Sequence, residues 1–389
     1  MIRLIQLTDF TEAYAQYLQK GIITYSKEHD PWVVCRMPPA FKLRYGIEGV
    51  IDWAKKWEAD AIVAQFDEDD NVGLFRQNGI VAVAQDFKTQ FKSIPNITGD
   101  YELGGKMAAD FFLQKGYQNF AFVGYKNAIW SEKRCQGFYD RISEFGFEKN
   151  FHVFQNKIIE ELWFYEQNPL IEWLKSLPKP IALMTCDDTQ GNKITEICRI
   201  CNLRIPEDIS LIGVDNDEMT CNLSDPTLSS VALDVEKGGY ETAKLIDKMV
   251  TSQNYEDFED VVIHHSHIVQ RQSTNMYPIN DKEIAMALKY IDDNINSKIN
   301  VDDIVKVVPL SRRLLEIRFK HFTKMSVYQY VMLQRINRFA RSLLTSTAPI
   351  CELAIEMGFS DFKNLSRQFK TIKGCPPHEY RKEHTLKNK

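Results

Sequence analysis

Polar and aromatic side chains follow several of the predicted β-strands at the point where each strand ends. Carboxylates and a guanidinium group form strong hydrogen bonds to hydroxyl groups, and aromatic rings cover the apolar face of a pyranose. Ligands of open α/β sheets bind beyond the carboxyl ends of the strands. The sequence therefore predicts a sugar-binding site that includes Asp9, Phe10, Trp130, Arg134, Asp187 and Asp215.

Each of these residues also has a purely structural interpretation. An aspartate after a strand often caps the next helix, and this is the favoured interpretation of Asp188. Trp130 would also fit a place in the core, and the helix start Asp100–Gly105 would fit simple capping. The repetition of such side chains at one strand end after another is what favours a binding site.

Two arrangements could suggest an enzyme, and neither is convincing. Asp187 and Asp188 could be read as an acid–base pair, but adjacent residues at a strand end point in different directions. The run 100–106 has the spacing of a phosphate-binding loop, but Asp100 replaces the first glycine and Met107 replaces the serine or threonine. We therefore expect no catalytic activity.

Cysteine and histidine pairs do not predict a metal site. Cys198 and Cys201 fall within one predicted helix without a second ligand pair, which argues against zinc. His264, His265 and His267 fall in a predicted strand that places the last two on one face. They could form a metal pair, but a solvent-facing strand is the favoured interpretation. No metal and no cofactor are predicted.

A second kind of chemistry is suggested by two helices near the C-terminal end. Arginine, lysine, asparagine and glutamate side chains can address base edges or phosphates of DNA. One such helix would be an ordinary surface helix, but two in tandem within a basic, all-helical segment favour DNA binding. The candidate positions are Arg312, Arg313, Glu316, Arg318 and Lys320 on the first helix, and Asp361, Lys363, Asn364, Arg367 and Lys370 on the second.

These two helices are predicted to be the second members of two helix-turn-helix units, whose second helix enters the major groove. Ser311 and Ser326 stand at N-cap positions, and Gly358 follows Met357 where a left-handed residue ends a helix. Seven helices are expected in this tail. Six have clear bounds: Lys282–Asn296, Val301–Val307, Ser311–Phe322, Ser326–Thr345, Ile350–Met357 and Asp361–Lys370.

The preceding 270 residues alternate between short strands and amphipathic helices, which predicts two successive α/β lobes with doubly wound parallel sheets. The predicted helices are Glu12–Lys27, Tyr101–Lys115, Ser131–Phe145, Asp188–Cys201 and Lys237–Thr251. The predicted strands are Leu4–Leu7, Ala61–Phe66, Ile80–Ala84, Phe120–Val123, Ala182–Thr185 and Ser210–Val214, with a late strand Val261–Ile268.

Charge divides the chain in the same place as this change of pattern. The net charge is -5, but residues 281–389 hold 20 Lys and Arg against 12 Asp and Glu, a balance of +8, so the remaining residues carry -13. A basic helical end behind an acidic body indicates a polyanionic partner for that end. The expected division is a two-lobed domain over 1–274, a linker over 275–281 and a DNA-binding domain over 282–389.

The sequence contains no run near the roughly 20 apolar residues that a membrane span needs, and it does not start like a signal peptide. Its eight scattered cysteines suit a reducing compartment better than a disulfide framework. We therefore expect a cytoplasmic protein with no membrane partner.

The tail resembles the AraC/XylS-type DNA-binding domain. The resemblance places Arg313, Glu316 and Ile317 at groove-facing positions of the first recognition helix, and it makes 326–345 the helix that fixes the spacing of the two units. Ile317 stands where a basic residue is common in that family, and Met325 where glycine is common. The second recognition helix would use Phe362, Lys363 and Arg367. The matching runs are 311–319, 350–359, 364–370 and 376–381.

Residues 1–274 resemble the effector domain of the LacI/galactose-repressor class, which is itself similar to periplasmic sugar-binding proteins. The class carries its DNA-binding helices at the N-terminus, and these are absent here. The resemblance implies that Asp100, Arg134, Asp187 and Asp215 lie at ligand-contact positions. The matching runs are 100–105, 134–138, 205–215 and 271–274.

A sensor of this class joined to an AraC-type tail is the arrangement of the xylose operon regulators, and the whole chain resembles that family. The resemblance implies a transcription activator that binds promoter or operator DNA as a homodimer, responds to D-xylose and works with RNA polymerase. Another sugar, a sugar phosphate, a repressor, or a scaffold that only dimerises remain alternatives.

Overall fold

The computed structural model describes residues 1–156, 168–252, 258–278, 281–295, 297, 299–323, 325–359 and 361–384. Within these ranges the chain forms two α/β lobes followed by an all-helical tail. Among the described helices, none has the length and apolarity that crossing a bilayer requires.

Each lobe is built on one sheet of six strands. The strands are β1 (Arg3–Leu7), β2 (Val33–Met37), β3 (Ala61–Ala64), β4 (Val81–Gln85), β5 (Asn96–Gly99), β6 (Phe120–Tyr125), β7 (Phe151–Asn156), β8 (Ile181–Thr185), β9 (Ile209–Asp215), β10 (Ser229–Leu233), β11 (Val261–Ile263) and β12 (His265–Val269).

The spatial order of the strands confirms the predicted doubly wound fold. The sheet of lobe 1 has the order β11-β5-β4-β3-β1-β2, and its neighbouring strands run parallel. The sheet of lobe 2 has the order β12-β10-β9-β8-β6-β7, and only the pair β10–β12 is antiparallel. In both sheets the first strand lies next to one edge, the second strand forms that edge, and the later strands extend the sheet in the other direction. The carboxyl ends of β1, β3 and β4 therefore lie along one edge, and those of β6, β8 and β9 along another.

Helices cover both faces of the sheets and make up the tail. The lobes contain α1 (Ala13–Glu28), α2 (Pro39–Lys56), α3 (Gly73–Gln77), α4 (Tyr101–Lys115), α5 (Ile129–Glu144), α6 (Asn168–Ser176), α7 (Asp188–Ile200), α8 (Glu218–Leu223) and α9 (Val235–Ser252). The tail contains α10 (Lys282–Asn294), α11 (Val301–Val307), α12 (Arg312–Thr323), α13 (Val327–Thr345), α14 (Ile350–Glu356), α15 (Phe362–Lys373) and α16 (Pro377–His384).

The predicted strands and helices are present within a few residues, but the predictions did not include the strands β2, β5, β7 and β10 or the helices α2, α3, α6 and α8. Strand β5 consists of Asn-Ile-Thr-Gly, and β2 lies at a sheet edge with most of its side chains at the surface. Neither has the continuous apolar run of a buried parallel strand, which is the signal used to predict the others. The late strand predicted over 261–268 is in fact two strands, because β11 joins lobe 1 and β12 joins lobe 2.

The chain crosses between the lobes three times, and the crossings lie side by side. They occur at Asp100, Asp234 and His264, which join β5 to α4, β10 to α9 and β11 to β12. The Asp100 amide donates to the Ile263 carbonyl oxygen at 3.4 Å, and the Asp234 amide donates to the His264 carbonyl oxygen at 2.9 Å. These backbone bonds tie the three crossings into one hinge.

Paired glycines let two helix pairs approach closely, one in each lobe. Gly105 of α4 lies against α5, and Gly239 of α9 lies against α1. A methyl group added at Gly105 would lie 2.2 Å from the Arg134 carbonyl oxygen, and one at Gly239 would lie 2.0 Å from the Leu18 carbonyl oxygen. Both helices follow a hinge crossing, so the close helix packing fixes the position of the crossing segment relative to its lobe.

The tail has two apolar cores that share one long helix. Helices α10 to α12 close the first core, which includes Leu315 and Phe319. Helices α14 to α16 close the second, which includes Leu365 and Phe369. The long helix α13 contributes its first half to one core and its second half to the other, as predicted for the helix that fixes the spacing of the two units.

Two side-chain contacts between the tail and the lobe 2 side of the sensor involve tyrosines. The Lys115 ammonium group at the end of α4 lies 4.2 Å from the centre of the Tyr277 ring, and Tyr277 donates to Asp292 of α10 at 2.5 Å. The Tyr380 hydroxyl of α16 donates to the Ser266 carbonyl oxygen of β12 at 3.3 Å. A movement of lobe 2 would therefore be felt by both units of the tail.

We predict that Gly105→Ala lowers the free energy of unfolding by roughly 1–3 kcal/mol or more, because α4 and α5 must separate to admit the new methyl group. Urea denaturation of the full chain measures the effect. Gly73→Ala is the matched control, since its new methyl group would have no neighbour closer than 3.4 Å. Equal stability of the two variants would contradict the close helix contact.

Candidate functional site

Arg134 is the centre of the cleft between the lobes. It lies on α5 and is only 3% exposed. Its guanidinium group donates to the Cys186 carbonyl oxygen at 2.5 Å and to Asp215 Oδ1 at 3.1 Å. The rings of Tyr101 and Trp130 lie 5.6 and 5.4 Å from the guanidinium carbon. Its Nε atom is buried and has no hydrogen-bond partner among the described residues.

The predicted carboxylates of lobe 2 lie at the ends of neighbouring strands. Asp215 ends β9 in a left-handed conformation with φ 103°, which turns the chain sharply at the cleft. Burial raises its pKa to about 6 although Arg134 acts to lower it. Asp187 follows β8 and accepts a hydrogen bond from the Gln190 amide at 2.6 Å, and burial raises its pKa above the usual range. Both carboxyl groups are therefore poorly solvated and close to a cation.

The predicted N-cap of α7 is shifted by one residue. Asp187 is the capping residue, so the prediction that Asp188 caps this helix is wrong. Asp188 is buried and accepts from the Asp217 amide at 2.8 Å, while its Oδ1 atom has no partner among the described residues. Burial raises its pKa well above the usual range. Through this hydrogen bond Asp188 holds the loop after β9 in position.

Lobe 1 contributes Asp9 and Phe10 from the loop after β1, as the sequence predicts. Asp9 is exposed, and its Oδ1 atom accepts from the amide and hydroxyl of Thr11. The Arg36 guanidinium group lies 4.8 Å from the centre of the Phe10 ring. Both predicted residues therefore lie at the strand end that faces lobe 2, and their part in binding stays a prediction.

Two further residues of lobe 1 face the lobe 2 carboxylates and were not predicted. Glu12 precedes α1, and burial together with the charges of Asp187, Asp9 and Asp215 raises its pKa to about 7. Its side chain still reaches water, so it lies at the mouth of the cleft. Tyr14 lies within the electrostatic reach of Asp215, and burial raises its pKa. No motif marks either residue in the sequence, because only the meeting of the lobes brings them to the site.

Asp86 is a third residue that the sequence did not reveal. It follows β4, is buried, and accepts from Gln90 Nε2 at 2.6 Å and from the Tyr101 hydroxyl at 3.4 Å. Its Oδ1 atom has no partner among the described residues. The signal that could have identified it is the one used elsewhere, namely a carboxylate directly after a predicted strand.

Asp100 has a different environment from the other predicted ligand contacts. Its Oδ1 atom accepts from His265 Nδ1 at 2.6 Å and from the His265 amide at 3.1 Å, and its Oδ2 atom bonds to His264 Nδ1 at 3.0 Å. Burial acts to raise its pKa, but these hydrogen bonds outweigh it and the pKa is lowered. Both oxygens are engaged by the hinge, so the geometry favours a structural part for Asp100.

The same contacts correct the interpretation of the histidine run. His265 is buried rather than solvent-facing, its Nδ1 atom bonds to Asp100, and burial lowers its pKa. Across the described residues there is no group of three histidine, cysteine or acidic side chains arranged to hold a metal ion.

The predicted residues of the first recognition helix, α12, differ in their exposure and in their contacts. Arg313, Ile317 and Lys320 are exposed. Glu316 is half-buried and accepts from the Val327 amide at 3.4 Å, so it helps to cap α13. Two arginines are engaged in ion pairs, Arg312 with Asp302, and Arg318 with Asp281 and Glu283.

The second recognition helix, α15, presents its predicted residues more uniformly. Phe362, Lys363 and Arg367 are exposed, and Asn364 Oδ1 accepts from Arg367 Nη2 at 3.1 Å. Asp361 caps the helix by accepting from the Lys363 and Asn364 amides. Gly358 has φ 74° between α14 and α15, as predicted for the turn of the unit.

Two family models match the chain. Residues 109–274 match a periplasmic binding protein-like domain, and residues 304–383 match a helix-turn-helix domain. Together with the geometry above they define a class: the chain is a DNA-binding transcription regulator with a periplasmic-binding-protein-like sensor.

Relatives extend the match over the whole chain. The xylose operon regulatory protein of Escherichia coli strain K12 is 25% identical, with 97% of this chain and 96% of the relative covered. The protein of the same name from Haemophilus influenzae is 27% identical, with 85% and 87% covered. The structure of a xylose-binding transcription activator matches with a TM-score of 0.57 at 24% identity, covering 99% of this chain and 98% of that one.

From end to end the chain resembles the xylose operon regulatory proteins. These relatives are regulators rather than enzymes, which confirms that the chain is not an enzyme.

We predict that Glu12→Gln stabilises the ligand-free protein at pH 8, and that this gain shrinks as the pH falls. Because the folded-state pKa of Glu12 is raised to about 7, its stability contribution is fully present below its unfolded pKa of 4.5 and is lost as the pH rises through 7. Urea denaturation at pH 8 and pH 5 measures the gap. Glu48→Gln, on an exposed part of α2, is the control for removing one negative charge. A gap that does not change with pH would contradict the electrostatic interpretation.

Proposed function

We propose that this chain activates transcription of genes for pentose use, with D-xylose as the effector that binds between the lobes. The observation that carries the proposal is Arg134, which is held by Asp215 and the Cys186 carbonyl between two aromatic rings. The choice of xylose is supported by the full-length similarity to xylose operon regulatory proteins.

The donor and acceptor set of the cleft suits a small neutral polyol. Asp187 and Asp215 accept hydrogen bonds from hydroxyl groups, and the guanidinium group of Arg134 donates to hydroxyl oxygens. Trp130 supplies a half-buried ring for the apolar face of the sugar. Glu12 and Tyr14 complete the set from lobe 1, so a bound sugar would hold the lobes together.

The electrostatics of the cleft argue against a sugar phosphate. Carboxylates from both lobes lie close enough to raise the pKa of Glu12. The Arg134 charge is already engaged by Asp215. A phosphate dianion would enter a field of like charge, which costs binding energy when the groups are poorly solvated.

Sugar binding would reach DNA through the contacts between lobe 2 and the tail. Closure of the lobes shifts the population towards one arrangement of Tyr277, Lys115 and the two helix-turn-helix units. In a homodimer the same shift would place two tails at operator spacing, and bound tails would be positioned to contact RNA polymerase. This sequence of events makes the sugar an activator of the promoter.

We predict that D-xylose raises the melting temperature of the full chain by several degrees. At 100 times the dissociation constant a ligand that binds only the folded state stabilises it by about 2.7 kcal/mol. A thermal-shift series of pentoses, hexoses and their phosphates measures this. If no neutral sugar shifts the transition, the proposal is wrong. A shift by another sugar alone would reject xylose but keep the class.

Two variants locate the response in the cleft. Arg134→Ala removes the central donor, and Glu12→Gln changes a water-accessible side chain without destabilising the fold; both should weaken the sugar shift. Arg141→Ala lies on the same helix but pairs with Asp110 and Glu144 outside the cleft, so it should keep the shift. An unchanged sugar response in both cleft variants would place the binding site elsewhere.

We predict that Arg367→Ala weakens binding to a duplex selected from a random pool by the full-length protein, at a cost of roughly 1–3 kcal/mol if the side chain contacts a base. Fluorescence anisotropy at fixed salt measures the affinity. Arg199→Ala, an exposed arginine of α7, is the charge-matched control and should bind normally. Equal losses in both variants would mean that only net charge matters.

A further inference from the structure

The two recognition helices, α12 and α15, have the same pattern of buried residues, with corresponding positions fifty residues apart. Leu315 and Leu365 are buried at corresponding positions, and so are Phe319 and Phe369. Each helix therefore seats on its core in the same way. Corresponding exposed positions must then face the same direction relative to DNA in the two units.

At corresponding positions that face outward, the two helices carry different kinds of side chain. Asn364 and Arg367 of the second unit correspond to Leu314 and Ile317 of the first. The second pair is polar and joined by a hydrogen bond of 3.1 Å. The first pair is apolar, yet Ile317 is 59% exposed and Leu314 is 43% exposed. Nothing within the described structure covers them.

Basic side chains lie on both sides of this apolar pair. Arg313 and Lys320 lie four residues before and three residues after Ile317, which places all three on one face of α12. Both basic side chains are exposed, and no ion pair is formed by either among the described residues. A surface that is apolar in its middle and cationic at its edges matches the major groove, where a thymine methyl group lies between two phosphate backbones.

Resting on the proposed function, we propose that the first unit reads thymine through its C5 methyl group, with Ile317 as the specificity-determining contact and Leu314 beside it. The second unit reads hydrogen-bonding base edges through Arg367. The half-site is therefore asymmetric: one major-groove segment is selected for thymine and the next for a base that accepts hydrogen bonds from arginine, such as guanine.

The test removes single methyl groups from DNA and from the protein. In the duplex selected by the full-length protein, each thymine is replaced in turn by deoxyuridine. One replacement should weaken wild-type binding about fourfold, the amount expected for one buried methyl group. Ile317→Ala should weaken binding to the thymine duplex by a similar or larger factor and should bind the thymine and deoxyuridine duplexes equally.

A swap between the units gives a second measurement. Ile317→Arg gives the first unit the residue of the second, so a new selection should replace thymine by guanine at that position. Because Ile317 is exposed, neither variant should disturb folding, and the control Arg367→Ala should keep the wild-type sensitivity to deoxyuridine.

Three outcomes would overturn the inference. They are undiminished deoxyuridine sensitivity in Ile317→Ala, equal affinity of this variant and the wild type, and an activation defect with normal DNA affinity, which would mean that the apolar pair meets a protein instead. If these occur while Arg367→Ala still binds weakly, the proposed function stands and the thymine contact fails. Absence of any selected sequence would instead reject the proposed function.

Discussion

The hinge between the lobes is the constraint on which the rest of the molecule depends. Three separate segments cross it, and Asp100 ties two of them together through His265 and His264. The His265 side chain is fully buried, and its hydrogen bond to the Asp100 carboxylate satisfies a ring nitrogen that would otherwise be costly to bury. Because the crossings are held at one place, a movement of one lobe relative to the other would be centred there and would change both the cleft and the contacts with the tail.

The cleft depends on electrostatic groups that the fold gathers from distant parts of the chain. Parallel strands end on the same sheet edge, so Asp187 and Asp215 become neighbours of Arg134 without being close in sequence. Burial raises the pKa of Asp215 to about 6, although the guanidinium group of Arg134 acts to lower it. In the proposed function, a ligand rich in hydroxyl groups would bond to these carboxylates and so favour closure of the lobes.

The tail holds two recognition helices at a fixed separation. Helix α13 belongs to both apolar cores, so the units cannot rotate independently without breaking one of them. Both helices pack on their cores through the same buried positions, so the outward-facing residues can differ between the two units. Substitutions at Ile317 or Arg367 should therefore leave the fold intact, since both side chains are exposed.

The sequence by itself determined the fold class, the two helix-turn-helix units and the strand-end residues Arg134, Asp187 and Asp215, because periodicity, capping residues and the strand-end rule are local signals. Only the tertiary structure decided which aspartate caps α7, that the late strand breaks at His264, and that Glu12 and Tyr14 face the lobe 2 carboxylates. These features depend on which lobe each segment joins and on the distance between side chains far apart in the chain. Local sequence patterns carry no information on either, since burial and partner atoms are set by packing.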